Sequence, residues 1–374
     1  MLKIIADDKI PFLKGVLEPF ADIEYIQGNK ISKEHVKNAD ALIVRTRTKC
    51  NQELLEGSCV KFIATATIGF DHIDTVFCEK AGITWTNAPG CNSTSVQQYI
   101  TCALGYLAEK YGFSLQDKTL GIVGVGHVGK KVLKMAEALG MRIVLNDPPR
   151  MREEGLCGFV SMEGLLKEAD IITFHTPLNM TGEDKTFHLA NEDFFNKVLP
   201  GTIIINSSRG EVVETNALKN ALKSGRVNGA VIDVWENEPG LDEELLSLTD
   251  IGTTHIAGYS LDGKANGTAM SVNALCTFFK LPYKNWFPSD VTPVPDNIIT
   301  IDSNGKSDEQ VLLEAVQQTF NIEADSAILK NKTMSFEKYR GEYPLRREYP
   351  AYKVVLKNGN DKMLNVLSDF GFQT

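Results

Sequence analysis

From the first residue to about residue 260, short apolar β-branched runs alternate with stretches of helical periodicity, the pattern of successive βαβ units. Leu2-Lys-Ile-Ile-Ala6, Ala41-Leu-Ile-Val44, Lys61-Phe-Ile-Ala-Thr65 and Ile83-Thr-Trp85 predict four strands within the first 90 residues, enough for a small sheet domain. Pro89-Gly-Cys-Asn92 is turn chemistry. Beyond it Val96, Tyr99, Ile100, Ala103, Leu104 and Leu107 recur at i, i+3, i+4, i+7, i+8 and i+11, which predicts an amphipathic helix ending near Tyr111 and bridging two domains. Asn92 suits its N-cap, and Ser95 with Gln98 offers an alternative capping box. Six further strands are expected at Leu120-Gly-Ile-Val123, Arg142-Ile-Val-Leu145, Asp170-Ile-Ile-Thr-Phe174, Thr202-Ile-Ile-Ile205, Gly229-Ala-Val-Ile232 and Asp250-Ile-Gly-Thr253. Most are near-continuous apolar runs, as required when helices cover both faces of a parallel sheet. The chain is therefore expected to be α/β, with a doubly wound dinucleotide-type sheet in its middle.

Past Pro282 the pattern changes: Pro288, Pro293 and Pro295 precede a strand at Asn297-Ile-Ile-Thr-Ile301 and a helix capped by Ser307 with Gln310. A second strand, Tyr352-Lys-Val-Val-Leu356, leads into a short apolar helix carrying Met363, Leu364 and Leu367. An extra α+β module of about 85 residues follows from this. It carries no catalytic motif, so self-association is its expected role.

With 374 residues, 43% apolar and 23% charged, the composition is that of a folded chain of two or three domains. No apolar run is long enough for a membrane span and the first residues lack an export signal, so a cytoplasmic protein with no membrane partner is expected. The seven cysteines (50, 59, 78, 91, 102, 157, 276) are scattered, with no zinc-type spacing, and read as reduced thiols; no metal is expected. A net charge of −9 without a Lys/Arg run argues against nucleic acid, yet leaves room for a small anion held by a few arginines and backbone N–H groups.

Gly124-Val-Gly-His-Val-Gly129 fits G-x-G-x-x-G, a pattern whose meaning depends on context. Here it follows a strand and opens a helix whose Val128, Val132, Met135, Ala136 and Leu139 form one apolar stripe, stopped by Gly140. Gly124 permits the tight turn, Gly126 a close backbone approach to a pyrophosphate, and Gly129 close helix-on-strand packing. His127 and Val128 are expected to offer backbone contacts at the helix N-terminus. Eighteen residues past Gly129, Asp147 ends the next strand, where a carboxylate accepts ribose hydroxyls and repels a 2′-phosphate, favouring NAD over NADP. Arg150 is the group that would pair with a 2′-phosphate and keeps NADP open.

In an open α/β sheet the ligand crevice lies beyond the carboxyl ends of the strands. There stand Asp147, His175-Thr176-Pro177, Ser207-Ser208-Arg209-Gly210, Asp233 and His255. Of these groups histidine titrates nearest neutrality, which makes His255 the candidate proton acceptor. Glu238 could hold one ring nitrogen and stabilise the imidazolium; Arg209 could clamp a carboxylate at two points, as lysine cannot. A lone histidine after a strand is usually structural, and the Arg and Glu partners are what reverse that expectation.

Gly124-x-Gly-x-x-Gly129, Asp147, His175-Thr-Pro-Leu178, Asn206-Ser-Ser-Arg-Gly210, Asp233-Val-Trp-Glu-Asn-Glu-Pro239 and Thr254-His-Ile-Ala-Gly258 together resemble the D-isomer-specific 2-hydroxyacid dehydrogenase family, over roughly residues 40–280. The resemblance implies Arg209, Glu238 and His255 as reacting residues. It implies a Rossmann-type NAD domain (93–257) inserted in a flavodoxin-like substrate domain (1–92 and 258–285) that closes about hinges near Asn92 and Gly258, with 286–374 as a C-terminal dimerisation domain of a homodimer. It also implies cofactor contacts from His175, Thr176, Pro177, Ser207, Ser208, Asp233 and Gly258. His175 would serve structurally beside NAD, and Asp233 would sit near the nicotinamide amide, a solvated strand-end acid being the plainer alternative.

Val44-Arg-Thr46, Thr65-Ala-Thr-Ile-Gly-Phe-Asp-His72, Ala88-Pro-Gly-Cys-Asn92, Asp147-Pro-Pro-Arg150 and His255-Ile-Ala-Gly-Tyr-Ser-Leu-Asp-Gly-Lys264 resemble the branch of that family acting on a small phosphorylated 2-hydroxy acid. Thr46, where serine is expected, Thr67 and Tyr259 would then line the substrate pocket. Arg45, Arg47, Lys264 and the Arg346-Arg347 pair are candidates for the phosphate, a solvated charged surface being the alternative for Arg47 and the tail pair. A second 2-oxo acid could reoxidise a retained cofactor. Two other readings remain open on residues alone: phosphoglycerate or another 2-hydroxy acid as substrate, and an NAD-sensing, corepressor-like binding protein on the same fold.

Overall fold

A computed structural model describes residues 1–155, 158–344 and 346–374. The chain divides into two compact units, Met1–Asn92 with Ser260–Pro293, and Ser93–Tyr259 with Val294–Thr374.

The first unit is built on five parallel strands, β1 (Leu2–Asp7), β2 (Ala21–Ile26), β3 (Ala41–Val44), β4 (Phe62–Thr65) and β5 (Thr84–Thr86), in the order β2-β1-β3-β4-β5. The sequence reading missed β2. Its Ala-Asp-Ile-Glu-Tyr-Ile sequence lies at the sheet edge with most side chains partly open, so it shows none of the continuous apolar signal of its buried neighbours. One face of the sheet packs Ile4, Ile43 and Phe62 against Val272, Leu275 and Cys276 of the helix Leu261–Phe279. Ser260 caps that helix by accepting from the Gly263 N–H, and Gly267 has no room for a side chain, since a Cβ there would lie 2.6 Å from the Ala66 carbonyl oxygen.

The second unit contains β6 (Thr119–Val123), β7 (Arg142–Asn146), β8 (Ile171–Phe174), β9 (Thr202–Asn206), β10 (Val227–Ile232) and β11 (Ile251–Gly252), all parallel, in the order β11-β10-β9-β8-β6-β7. The chain leaves β6 to one side for β7 and returns on the other for β8, so the switch point lies at the ends of β6 and β8, where Gly124 and His175 stand.

The C-terminal segment adds the parallel pair β12 (Ile298–Asp302) and β13 (Lys353–Lys357). Its helix Asp308–Gln317 begins with the expected box, Ser307 and Gln310 capping each other's backbone. The helices Ile322–Lys330 and Phe336–Glu342 were not anticipated. Expected as a domain of its own, residues 286–374 instead divide: 286–293 fall in the first unit. From Val294 on the chain shares a core with the dinucleotide-type sheet, Val311, Leu312, Tyr349 and Leu367 packing in one cluster with Leu104, Ile122 and Val231. Gly105 of the helix Ser93–Tyr111 lies against this cluster, where a Cβ would come within 3.2 Å of the Leu313 side chain.

Six cysteines are free thiols, all but Cys59 buried; Cys157 lies outside the described residues. Among the described residues no helix is long and apolar enough to cross a membrane.

Candidate active site

The loop between β6 and the helix His127–Ala138 has the stereochemistry its glycines suggest. Gly124 holds φ +88°, and a Cβ on it would press to 2.8 Å from the His175 carbonyl. A Cβ on Gly129 would fall 2.1 Å from the Gly124 carbonyl oxygen, whereas one on Gly126, the N-cap, would meet nothing within 4 Å. The loop is thus tight underneath and open where an anion would approach the helix N-terminus. His127 is exposed and Val128 packs partly against the core.

Asp147, half-buried at the end of β7, accepts from the Val125 N–H (2.7 Å) and, as N-cap of the helix Pro148–Glu154, from the Arg150 N–H (3.1 Å). It therefore braces the glycine loop with part of its acceptor capacity. Arg150 is tied down: its guanidinium donates to the Val125 carbonyl and to both carboxylate oxygens of Glu154, each at 2.7 Å. That removes the main support for a 2′-phosphate partner at this position.

After β8, His175 lies 3.0 Å through Nε2 from the Thr173 hydroxyl, and burial of its ring pushes its pKa down to about 3. It is neutral at physiological pH and unsuited to accept a proton in turnover. Thr176 Oγ1 and Ser207 Oγ are buried without a hydrogen-bond partner, unusual for a folded chain and suited to a polar ligand crossing these strand ends. Ser208 differs: its hydroxyl and N–H both go to the Asn206 side chain. Pro177 is exposed. Orphaned hydroxyls, an open Gly126 and a strand-end carboxylate fit a dinucleotide.

Arg209 follows, its Nη1 donating to the Ser208 carbonyl (2.8 Å). Gly210 next to it packs so closely on the loop after β10 that a Cβ would lie 2.0 Å from the Trp235 carbonyl carbon. That contact sets the Arg209 backbone against the stretch that carries Glu238. Glu238 Oε1 accepts from the Trp235 N–H (3.0 Å), and Oε2 lies 2.8 Å from Nδ1 of His255. Burial works to raise this carboxyl, but the hydrogen bond and charge of His255, the Trp235 N–H and the Arg340 guanidinium at 4.0 Å hold it below the usual range. His255, with φ +58°, has Nδ1 directed at the carboxylate, which leaves Nε2 for a substrate oxygen.

Asp233 is not the solvated strand-end acid of the plainer alternative: it is fully buried, Oδ1 accepting from the Thr253 hydroxyl (2.6 Å) and the Ile256 N–H (2.8 Å), Oδ2 from the Ala257 N–H (2.9 Å). Tyr99 extends the network, its hydroxyl 2.7 Å from that of Thr253. Asp233 thus staples the loop that presents His255.

Thr46 is exposed in the first unit, and Thr67 spends its hydroxyl on Thr65 (2.8 Å) and the Gly69 carbonyl (3.0 Å). Tyr259, in the second unit, lies edge-on to Tyr343 and beneath the Arg340 guanidinium, 5.5 Å from the ring centre. Gly258 is half-buried. Among the phosphate candidates Arg45 donates to the buried Asp7 (3.4 Å), and Arg347 is half-buried. Arg346, read as phosphate ligand or solvated charge, is neither: only 8% exposed, it bonds to Gln98 and Ser95, so these two residues hold an arginine rather than form a capping box. Sequence reasoning missed Tyr99, Thr253, Arg340 and Arg346 as contributors, since their partners lie up to 251 residues away and leave no local pattern.

The family model described as "D-isomer specific 2-hydroxyacid dehydrogenase, NAD binding domain" matches residues 100–257, and one for a domain of unknown function matches 293–371. A solved D-lactate dehydrogenase from Aquifex aeolicus, in complex with NAD and lactic acid, is similar over 78% of this chain and 100% of its own, with a TM-score of 0.61 and 27% identity. Fold and strand-end loops together are those of an NAD-binding 2-hydroxyacid dehydrogenase. Among curated proteins, the erythronate-4-phosphate dehydrogenase of Bacteroides fragilis is 50% identical over 95% of this chain and 99% of its own, and that of Proteus mirabilis 41% identical over 99% of each. The chain belongs to the erythronate-4-phosphate dehydrogenase family of the D-isomer specific 2-hydroxyacid dehydrogenases.

Proposed function

We propose that the protein oxidises 4-phospho-D-erythronate to 2-oxo-3-hydroxy-4-phosphobutanoate, a step toward pyridoxal 5′-phosphate. The observation that carries the reading is the 2.8 Å pairing of His255 with Glu238, on loops beyond β10 and β11 and in a chain half identical to enzymes of that name. NAD, when bound, supplies the acceptor for the C2 hydride. His255 Nε2 takes the C2 hydroxyl proton, and Glu238 stabilises the imidazolium that results. Arg209 binds the C1 carboxylate at two points and polarises the forming carbonyl.

The backbone of Gly124, Gly126, His127, Val128 and Gly129 would hold the pyrophosphate, Asp147 the ribose, and the orphaned hydroxyls of Thr176 and Ser207 would find their partners in the same ligand, with His175, Pro177, Ser208 and Gly258 alongside. Asp233 contributes through the loop it staples. Thr46, Thr67 and Tyr259 are assigned to the substrate. A homodimer in the cytoplasm completes the reading: the outer face of β12 and β13 leaves Ile298 64% and Val355 40% exposed, apolar surface suited to a second copy.

Turnover on 4-phospho-D-erythronate and on 3-phosphoglycerate, measured with NAD recycled by a 2-oxo acid, tests the substrate. A clear preference for the former is expected; preference for the latter overturns the assignment.

A further inference from the structure

The loop after β11 puts a non-glycine residue, His255, in the left-handed region at φ +58° and aims its ring at Glu238. Backbone of that kind persists only where the surroundings over-determine it. The two residues that follow, Ile256 and Ala257, are each held through both backbone polar groups. Their N–H groups go to Asp233. Their carbonyls go to Arg346: Nη1 donates to Ile256 O (3.1 Å) and Nη2 to Ala257 O (2.6 Å).

The guanidinium is fixed in turn. Nε donates to Gln98 Oε1 (2.9 Å), Nη1 also to the Tyr343 hydroxyl (3.1 Å), Nη2 also to Ser95 O and Oγ (3.1 and 2.9 Å), and its plane lies 4.2 Å from the Phe320 ring centre. All these hydrogen-bond acceptors are neutral. For packing alone an apolar side chain would fill the site without burying a charge; only a planar fork with five N–H donors reaches two successive carbonyls and three side chains at once. The same C-terminal segment brings Arg340 to 4.0 Å from Glu238 Oε2, so it approaches both members of the His–Glu pair.

We propose that Arg346 is a positioning residue of the reaction: by clamping the carbonyls of Ile256 and Ala257 against Asp233 it fixes His255 in the orientation that pairs it with Glu238. The C-terminal segment, whose family model is that of a domain of unknown function, is thereby a working part of the active site within its own chain. This rests on the reading of His255 as proton acceptor.

Arg346→Lys and Ser95→Ala in the full-length protein provide the test, Ser95→Ala removing a single hydroxyl that bonds both Nη2 and the Ala257 carbonyl. Two readouts separate positioning from general stability. The first needs no substrate: the downfield proton resonance of the His255 Nδ1–H bonded to Glu238, identified by its absence in Glu238→Gln, should weaken or vanish in Arg346→Lys. The second is a double-mutant cycle. Arg346→Lys should lower kcat 10- to 100-fold with KM values within about threefold, and leave the residual rate of His255→Ala unchanged. Ser95→Ala should lose twofold to tenfold in kcat with an unaltered melting temperature, and it decides the matter by both readouts if Arg346→Lys does not fold. An unchanged resonance in a folded variant, or equal rate losses in the presence and absence of His255, overturns the proposal. Inactivity of the wild type on 4-phospho-D-erythronate would count against the substrate reading alone, since the resonance still reports on Arg346.

Discussion

The glycine loop allows folding and cofactor binding to be separated with two single methyl groups. In Gly129→Ala the new Cβ would lie 2.1 Å from the Gly124 carbonyl oxygen, about 1.3 Å short of an ordinary contact, and neither the Cβ, fixed by the backbone, nor the backbone oxygen can swing away. Overpacking of this kind costs about 1–3 kcal/mol. In Gly126→Ala the Cβ meets nothing within 4 Å and φ is −75°, so the free protein should keep its stability within about 1 kcal/mol. The methyl group would instead stand in the open space before the helix N-terminus. Losing one hydrogen bond to a charged phosphate is worth about 1.5–3 kcal/mol, or roughly 10- to 150-fold in NAD affinity. Urea unfolding of the ligand-free variants with calorimetric titration of NAD measures both quantities. Gly126→Ala should fold normally and bind NAD weakly, while Gly129→Ala should unfold at lower urea. An NAD affinity within threefold of wild type in Gly126→Ala would refute the placement of the pyrophosphate.

Asp233→Asn should destabilise the protein by about 2–4 kcal/mol, because its amide must turn a donor toward one of three buried donors, and should lower kcat through the loosened His255 loop; a loss under 0.5 kcal/mol in urea unfolding would contradict this. Arg209→Lys should impair KM and kcat together, since a lysine cannot reproduce the planar two-point contact, and near-normal steady-state kinetics would exclude the clamp. Acidification should erode stability through two groups. The folded pKa of His175 is depressed to about 3, so its contribution is full above its unfolded pKa near 6.5 and is lost as pH falls from there toward about 3; that of Glu238 is also depressed, so its contribution is lost below its unfolded value near 4.5. His175→Gln should flatten the stability profile between pH 6.5 and 4.5, and an unchanged slope would remove His175 as its source.

The elements legible in the sequence are those whose signal is local. Six buried parallel strands announce themselves as apolar runs, and the glycine loop combines three residues with a strand before and a helix after. The His–Glu pair was legible as chemistry at two strand ends, though only 17 residues of chain separate its members. Edge strand β2 was not, because half-exposed residues carry no continuous apolar pattern. The orientation of Asp233 was hidden for a different reason: a strand-end carboxylate can turn outward or inward, and what turns it inward is a loop 20 to 24 residues further on. The buried role of Arg346, read as a phosphate ligand or a solvated charge, was hidden because the acceptors that let a guanidinium be buried come from Ser95, Gln98, Ile256 and Ala257, distant in sequence and mostly backbone.

The central claim is that His255 takes the substrate proton. Its most direct measurement is the turnover of His255→Ala on 4-phospho-D-erythronate with NAD recycled, alongside NAD binding by the same protein. Loss of at least the roughly 10²- to 10⁴-fold typical of a general base, with NAD affinity retained, is the predicted result. Turnover equal to that of the unaltered protein would contradict it.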